Sequence, residues 1–157
     1  MQESRTQIDR TDRALLAALQ RDAHLTAEEL GKLLNLSASQ AGRRRQRLEQ
    51  NGFIRGYGAR LEPAAIGLGV QAFVQVQMER HEPEATAVFT RKVKEQPEVV
   101  SVWVLTGEAD YMLRVWCTDL AALNHLIHQV ILPHSGVARV QSQIVMDQPK
   151  TDAALPL

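Results

Sequence analysis

The chain has 157 residues, of which 45% are hydrophobic and 23% charged, and its formal net charge is zero. This length and hydrophobic content indicate a globular protein with one medium or two small cores. No run approaches the ~20 consecutive apolar residues of a membrane span, and the first residues lack the apolar core of a signal peptide, so we expect a cytoplasmic protein without a membrane partner.

The charge is unevenly divided along the chain. Residues 1–61 hold 11 basic and 7 acidic residues, a net charge of +4, whereas residues 62–157 hold 7 basic and 11 acidic residues, a net charge of −4. The overall neutrality therefore hides a basic N-terminal part. If the protein binds nucleic acid, this part is where we expect the contact.

Two short helices are predicted before residue 35. Asp9 is a candidate N-cap for the first helix, with Asp12 three residues later. Apolar residues recur on one face of this helix at Ile8, Leu15, Leu16 and Leu19. Thr26 and Glu29 form a capping box that begins the second helix, because each side chain can bind the other residue's backbone N–H. The inward-facing residues of the second helix are expected to be Leu30, Leu33 and Leu34.

A third helix is predicted immediately after the second. Asn35 suits the left-handed conformation that closes a helix, and Ser37 with Gln40 forms another capping box. The third helix then runs to Asn51–Gly52, where glycine can adopt the left-handed conformation. A helix, a tight turn and a second helix form the helix-turn-helix arrangement, in which the later helix enters the major groove of DNA.

The exposed face of the third helix is cationic. At about 100° per residue, one sector of the helix collects Gln40, Arg43, Arg44 and Arg47. Ala41 and Leu48 lie about a quarter-turn away and are expected to pack against the other two helices. The predicted DNA-binding residues are therefore Ser37, Ser39, Gln40, Arg43, Arg44 and Arg47. The alternative is a solvated basic helix that meets no DNA.

The C-terminal part is predicted to be an α/β unit behind a linker. Residues 53–63 contain glycines without a helical period, which predicts a wing or an extended hinge strand. Val70 to Met78 then alternate as a half-buried strand does. The further elements are a helix at about 84–96 with Val88, Phe89 and Val93 inward, strands at 99–106 and 111–117, a helix at about 119–131 with Leu120, Leu123, Ile127 and Ile131 on one stripe, and a strand at about 137–146.

The order β-α-β-β-α-β predicts a ferredoxin-like domain behind a winged helix-turn-helix domain, so the fold class is α+β. Four segments are expected: a helix-turn-helix domain at 1–54, a hinge strand or linker at 55–67, a ferredoxin-like domain at 68–148 and a tail at 149–157. Such a sheet leaves one face without helices, and Phe73, Trp103 and Trp116 are candidates for an apolar patch there. We therefore expect a homodimer, whose two-fold symmetry suits paired DNA half-sites.

Four motifs, in chain order, resemble those of the Lrp/AsnC, or feast/famine, family of transcription regulators over about residues 8–148. They are Ile8–Asp12 with Leu15 and Leu16, then Leu36-Ser37, the run from Arg47 to Ile54, and the run from Thr106 to Tyr111. The resemblance implies sequence-specific binding of double-stranded DNA and dimers that assemble into tetramers or octamers. It also implies a small-molecule effector, an amino acid, bound near the glycine turn between the middle strands.

The effector site implied by the resemblance comprises Thr106, Gly107, Glu108, Asp110 and Tyr111. Gly107 permits close backbone approach, and the neighbouring N–H groups can receive a ligand carboxylate. Glu108 or Asp110 can accept a hydrogen bond from an α-ammonium group. The alternative is that Asp110 only shapes a tight hairpin, since aspartate is a favoured turn residue.

Two residues depart from the family pattern. Gly42 stands where a larger residue is common, and it weakens the third helix by about 1 kcal/mol. Arg45 stands where an apolar residue is usual, and we expect its side chain to extend toward solvent or phosphate. A second functional hypothesis is therefore a ligand-binding module that has lost DNA binding.

Enzymatic and metal-binding hypotheses have little support. No phosphate-binding, dinucleotide-binding, CxxC or HExxH motif is complete, and Cys117 lies in an apolar stretch typical of an inert buried thiol. His125, His128 and His134 lack a carboxylate or cysteine to complete a ligand set, so neither a metal nor a cofactor is expected. Sirohaem decarboxylase, which is similar to this family, is the enzymatic alternative, but the intact capping boxes and the arginine face disfavour it.

Overall fold

The computed structural model describes residues 8–79 and 82–157. The chain divides into two compact units. The first comprises the described part of Met1–Ala59 together with Lys150–Leu157, and the second comprises the described part of Arg60–Pro149. Helices alone form the first unit, and helices with an antiparallel sheet form the second, which confirms the predicted α+β class.

The helices of the first unit are α1 (Arg10–Arg21), α2 (Ala27–Leu34) and α3 (Ala38–Gln50). Each begins with a complete capping box, which the sequence predicted for α2 and α3, whereas for α1 it predicted only that Asp9 is the N-cap. In α1, for example, the N–H of Asp12 donates to Asp9 Oδ1 at 2.7 Å, and the N–H of Asp9 donates to Asp12 Oδ2 at 3.1 Å. These bonds satisfy backbone donors that have no partner inside the helix, so they fix where each helix starts.

The core of the first unit is small and apolar. It contains Leu15, Leu16, Ala18, Leu19, Leu30, Ala41 and Leu48. The prediction that Leu33 faces inward is wrong, because its side chain is 62% exposed. The helix α2 has only eight residues, so its buried face is narrow and is formed by Leu30 and Gly31, with Leu34 partly buried at its edge.

Gly31 sets how closely the turn after α2 approaches that helix. A Cβ atom at this position would lie 2.7 Å from the carbonyl oxygen of Leu36 and 3.3 Å from the N atom of Ala38. Both atoms belong to the backbone and have little freedom to move away. The turn therefore requires glycine here, a requirement that the sequence analysis missed. Asn35 has the expected left-handed conformation, with φ of 54°.

The helix α3 ends as predicted, with Gly52 at φ 72° and the N–H of Phe53 donating to the carbonyl of Leu48. The predicted wing or hinge strand is not present, however. Within the described chain, residues 53–63 form no strand, and a single 3₁₀ turn, Ala64–Ile66, precedes the sheet. A strand needs a hydrogen-bonded neighbour, and this segment pairs with none of the strands described here.

The second unit contains four antiparallel strands in the order β2-β3-β1-β4: β1 (Val70–Met78), β2 (Val99–Val104), β3 (Tyr111–Cys117) and β4 (Val137–Ile144). The helices α4 (Pro83–Lys94) and α5 (Leu120–His125) complete the predicted ferredoxin-like order. Alternate residues of β1 and β3 are buried with Phe89 and Val93 of α4. Val88 was expected to face inward, but it is 48% exposed.

The segment after α5 is wound as a π-helix, Leu126–Ile131, whereas the sequence predicted one uninterrupted α-helix. The wider π-turn holds an extra residue and therefore rotates the following side chains. Within the π-helix Leu126 and Ile131 are buried, and in α5 Leu123 is buried whereas Leu120 is 58% exposed. The predicted inward stripe is therefore wrong at Leu120 only, because Leu123 and Ile131 are buried and Ile127 is partly buried against the core.

One face of the sheet in the second unit carries no helix among the described residues. Phe73 and Trp116 are half-buried on this face, and Trp103 is 43% exposed. Their neighbours on the same face include Gln75 and Arg114, because residues two apart along a strand point to the same side. The uncovered face is thus mixed, with aromatic and polar side chains.

Candidate functional site

Four of the six predicted DNA-binding residues surround one concavity of about 340 Å³ on the first unit. Gln40, Arg43, Arg44 and Arg47 line it together with Leu36. Ser37 and Ser39 are exposed at the beginning of α3. Ala41 and Leu48 are buried, as predicted. The structure therefore places the predicted set on one accessible surface, and its role in DNA binding stays a prediction.

Two of the three arginines in this concavity bind one buried carboxylate. The side chain of Asp12 is only 1% exposed. Arg44 Nη1 donates to Asp12 Oδ1 at 2.8 Å, and Arg47 Nη2 lies 2.7 Å from both carboxylate oxygens. An isolated buried carboxylate would be costly, so these charge-assisted hydrogen bonds are what permit Asp12 to be buried. This ion pair was not predicted from the sequence.

Asp9 extends the cluster toward solvent. Arg44 Nη1 also donates to Asp9 Oδ2 at 2.7 Å, and the Asp9 side chain is 51% exposed. The pKa of Asp9 lies below its ordinary value because the backbone N–H of Asp12 and the guanidinium of Arg44 both favour its charged form. The pKa of Arg44 is raised because its guanidinium donates hydrogen bonds to the carboxylates of Asp9 and Asp12.

Arg43 and Gln40 differ from their neighbours. The described chain gives Arg43 no ion pair, only a long hydrogen bond of 3.4 Å from its Nε to the carbonyl of Ser39. The side-chain oxygen of Gln40 accepts a hydrogen bond of 2.9 Å from the N–H of Ser37, and the amide nitrogen of Gln40 takes no part in this bond. These two side chains are therefore the ones most available to a new partner.

Arg45 does not extend toward solvent or phosphate as the sequence analysis expected. Its Nε donates to Glu49 at 3.1 Å and to the hydroxyl of Tyr57 at 3.0 Å. Its Nη1 donates to the carbonyl of Leu25 at 3.0 Å. The guanidinium also lies 4.8 Å from the centre of the Tyr57 ring, a cation–π distance. Arg45 is thus a structural residue that joins α3 to the segments on either side.

Gly42 is the other departure from the family pattern, and a larger side chain at its position would meet little steric hindrance. A Cβ atom at Gly42 would meet only the Cβ of Ala27, at 3.6 Å, which is an ordinary contact. The glycine is therefore not required by close packing. Its consequence is confined to the lower helix propensity of glycine.

The predicted effector residues separate into exposed and structural ones. Thr106, Gly107 and Glu108 are exposed, and Gly107 has φ of 127°. Asp110 Oδ2 accepts the backbone N–H of Met78 at 2.7 Å, so its carboxylate anchors the turn to β1. Tyr111 is 4% exposed, and its ring lies 4.9 Å from that of Phe89 in the core. The effector-binding role of all five stays a prediction.

Beside this turn lies a small polar cavity of about 40 Å³ on the second unit. It is lined by Gln75, Gln77, Glu108, Ala109, Arg139 and Gln141. Arg139 Nη1 lies 3.5 Å from Glu108 Oε1, and both side chains are largely exposed. Arg139 and the glutamines were not predicted from the sequence. Their alternation along β1 and β4 was the only available signal, because it places them on the same face.

The described residues contain no group of three or more His, Cys, Asp or Glu side chains that could hold a metal ion. Burial raises the pKa of the Cys117 thiol, which disfavours the reactive thiolate. Among the helices described, none is long and apolar enough to cross a membrane.

Two family domains match the chain in the order of its two units. Residues 8–49 match the AsnC-type helix-turn-helix domain, and residues 71–155 match the Lrp/AsnC ligand binding domain. The chain belongs to the Lrp/AsnC family of transcription regulators. This confirms the resemblance found in the sequence, and the first match includes the capping boxes and the arginine face described above.

Relatives of known function span nearly the whole chain. The transcriptional activator DecR of Escherichia coli K12 is 35% identical over 96% of this chain and 99% of its own length. The leucine-responsive regulatory protein of the same strain is 32% identical over 91% of this chain and 87% of its own length. DecR is a DNA-binding transcriptional activator, and the second relative is a regulatory protein that responds to leucine.

Solved structures show the same architecture. A transcriptional regulator of Neisseria meningitidis, crystallised as a complex with L-methionine, is 39% identical with a TM-score of 0.90 and covers 96% of this chain and 97% of its own. An AsnC family regulator of Agrobacterium tumefaciens is 35% identical with a TM-score of 0.88, covering 95% and 97%. The predicted helix-turn-helix and C-terminal α/β domains are thus confirmed by comparison.

Proposed function

We propose that this protein is a cytoplasmic, non-enzymatic transcription regulator that binds double-stranded DNA through α3 and responds to an amino acid. The cationic concavity around Gln40, Arg43, Arg44 and Arg47 carries this proposal. It lies on the later helix of a helix-turn-helix, the helix that enters the major groove in such domains. Family membership supports the same conclusion for the chain as a whole.

The residues of the concavity are expected to contact different parts of the DNA. Arg43 and Gln40 are the candidates for base-edge contacts, because Arg can bind guanine and Gln can bind adenine with paired hydrogen bonds. The hydroxyls of Ser37 and Ser39, at the N-terminus of α3, suit phosphate contacts. Arg44 and Arg47 retain N–H groups beyond those that bind Asp12, and these are candidates for base-edge contacts as well as phosphate contacts.

An amino acid is the effector class that the turn at residues 106–111 best accommodates. The relative from Neisseria meningitidis was crystallised with L-methionine. In the present chain, the exposed carboxylate of Glu108 suits an α-ammonium group, and the guanidinium of Arg139 suits an α-carboxylate. Asp110 is a weaker candidate because its carboxylate already accepts the N–H of Met78.

We further propose that two copies pack through the uncovered sheet faces and that dimers assemble into tetramers or octamers. Phe73, Trp103 and Trp116 supply the apolar part of that face, and large exposed aromatic groups are typical of protein interfaces. A symmetric dimer also presents two copies of α3 to two half-sites of DNA.

The decisive experiment selects a preferred duplex from random DNA and measures its affinity by fluorescence anisotropy at several salt concentrations. The Arg43→Ala variant is expected to lose affinity for the selected duplex while its thermal stability is unchanged. If Arg43 contacts a phosphate, the slope of log affinity against log salt also falls by about 1. Failure of the wild-type protein to enrich any duplex would instead support a ligand-binding module that has lost DNA binding.

A further inference from the structure

We propose that Asp12, an acidic residue on α1, is a positioning residue for DNA recognition by α3. It holds Arg44 and Arg47 in the orientation in which they meet DNA, so a negative charge strengthens binding to an anionic partner. This inference rests on the proposed DNA-binding function and names a residue of that site which does not itself touch DNA.

The carboxylate of Asp12 is fully used within the first unit. Its Oδ1 accepts from Arg44 and Arg47, and its Oδ2 accepts from Arg47 and from the backbone N–H of Asp9. These four contacts correspond to the four lone pairs that a carboxylate offers. Asp12 therefore has no further capacity for an outside ligand, and its function is exerted on the two arginines.

Both arginines are constrained while they remain accessible. They lie one helical turn apart on α3, and 28% of the Arg44 side chain and 47% of the Arg47 side chain are exposed. Both arginines line the concavity with Gln40 and Arg43, and each guanidinium carries five N–H donors, more than its bonds to Asp9 and Asp12 use. Arginines that are already ordered lose less conformational freedom when they bind DNA.

The exposure of Asp9 makes it a natural comparison. Asp9 also binds Arg44, but it is 51% exposed and makes no contact with Arg47 among the described residues. Both residues belong to the capping box of α1, and both are acidic. If the loss of a negative charge alone changed DNA affinity, substitution of either aspartate would therefore have a similar effect. Only Asp12 binds Arg47, so only its substitution should disturb the orientation of Arg47.

The experiment compares full-length Asp12→Asn and Asp9→Asn by anisotropy with the selected duplex and with a scrambled duplex of equal length. Asparagine keeps the size and a side-chain oxygen, so each capping bond can persist. For Asp12→Asn we expect affinity for the selected duplex to fall about tenfold or more, the scale of one bidentate contact, while affinity for the scrambled duplex is unchanged or rises. Asp9→Asn is expected to keep the wild-type ratio of the two affinities.

An unchanged or increased ratio in Asp12→Asn would overturn the proposal, since charge removal alone would then explain the result. If Asp12→Asn does not fold, as judged by circular dichroism, the same ratio of affinities is measured for Arg47→Lys. Lysine keeps the charge but not the paired hydrogen bonds, so the ratio should fall at an unchanged salt slope. Wild-type protein that binds both duplexes equally would contradict the proposed function itself, a result distinct from either outcome above.

Discussion

The side chain of Asp110 accepts a hydrogen bond of 2.7 Å from the backbone N–H of Met78, and this bond joins the turn between β2 and β3 to the end of β1. The backbone of Asp110 strengthens the same connection, because its N–H donates to the carbonyl of Val76 at 3.0 Å. The conformation of the proposed effector turn therefore depends on Asp110.

We expect Asp110→Ala to lower the free energy of unfolding by about 1–3 kcal/mol, because it leaves the partly buried N–H of Met78 without its acceptor. Glu108→Gln is the control, since Glu108 is 82% exposed and its substitution should change stability by less than about 0.5 kcal/mol. Denaturant unfolding measures both variants. Equal stability of Asp110→Ala and wild type would show that the turn does not depend on this bond.

Gly107→Ala is expected to act through backbone strain. At φ 127° an L-residue is disfavoured, yet the space around an added Cβ is open, with nothing within 4 Å. We expect a loss of about 1–3 kcal/mol in unfolding free energy and a smaller thermal shift with effector amino acids, at unchanged DNA affinity without effector. Gly58→Ala, also in open space but without a positive φ, should be neutral. A full ligand-induced shift in Gly107→Ala would place the effector elsewhere.

Acid should destabilise the first unit partly through Glu29. The backbone N–H and the hydroxyl of Thr26 hold the pKa of Glu29 below its ordinary value of 4.5. A carboxyl group with a lowered folded-state pKa contributes stability that is complete above its unfolded pKa and is lost as the pH falls through the folded pKa. Thermal unfolding of Glu29→Gln should therefore depend less on pH below 4.5 than that of wild type.

The matched control for this titration is Glu28→Gln. Glu28 pairs with Lys32 on the exposed surface of the same helix and caps no backbone group among the described contacts. We expect Glu28→Gln to retain the acid sensitivity of the wild-type protein. Parallel pH profiles for Glu29→Gln and wild type would mean that the capping box contributes nothing through its charge.

Trp103→Glu is expected to shift the protein toward monomers, because it buries a charge in the proposed sheet-to-sheet interface. Val88→Glu is the control, since Val88 is comparably exposed but lies on α4, on the covered side of the sheet. Light scattering at micromolar concentration distinguishes the two. A truncated chain that begins near Pro63 should still dimerise. A monomeric wild-type protein would contradict the proposed interface.

The elements that could be predicted from sequence are those determined by neighbouring residues. The pairs Thr26–Glu29 and Ser37–Gln40 lie three residues apart, and each directly satisfies backbone groups at its own helix end. The β-α-β-β-α-β order was likewise predicted, because its strands and helices have different hydrophobic periods.

Interactions between distant segments could not be predicted in the same way. Helical geometry placed Arg44 and Arg47 on one face with Arg43, but their partner Asp12 lies more than 30 positions away in sequence. An arginine side chain is long enough to bind DNA or a neighbouring helix, and helical spacing alone does not distinguish these outcomes. Arg45 was misassigned for the same reason.

The C-terminal segment makes the first unit discontinuous in sequence. Lys150–Leu157 belongs to that unit, and Gln20 holds Leu155 by hydrogen bonds of 2.6 and 3.1 Å to its backbone N–H and carbonyl. The second unit is thus an insertion, connected to the first by two covalent crossings. A protease that cuts once between residues 53 and 63 would leave the second unit covalently attached to the docked segment of the first, and only a second cut near residue 149 would separate the second unit from every part of the first.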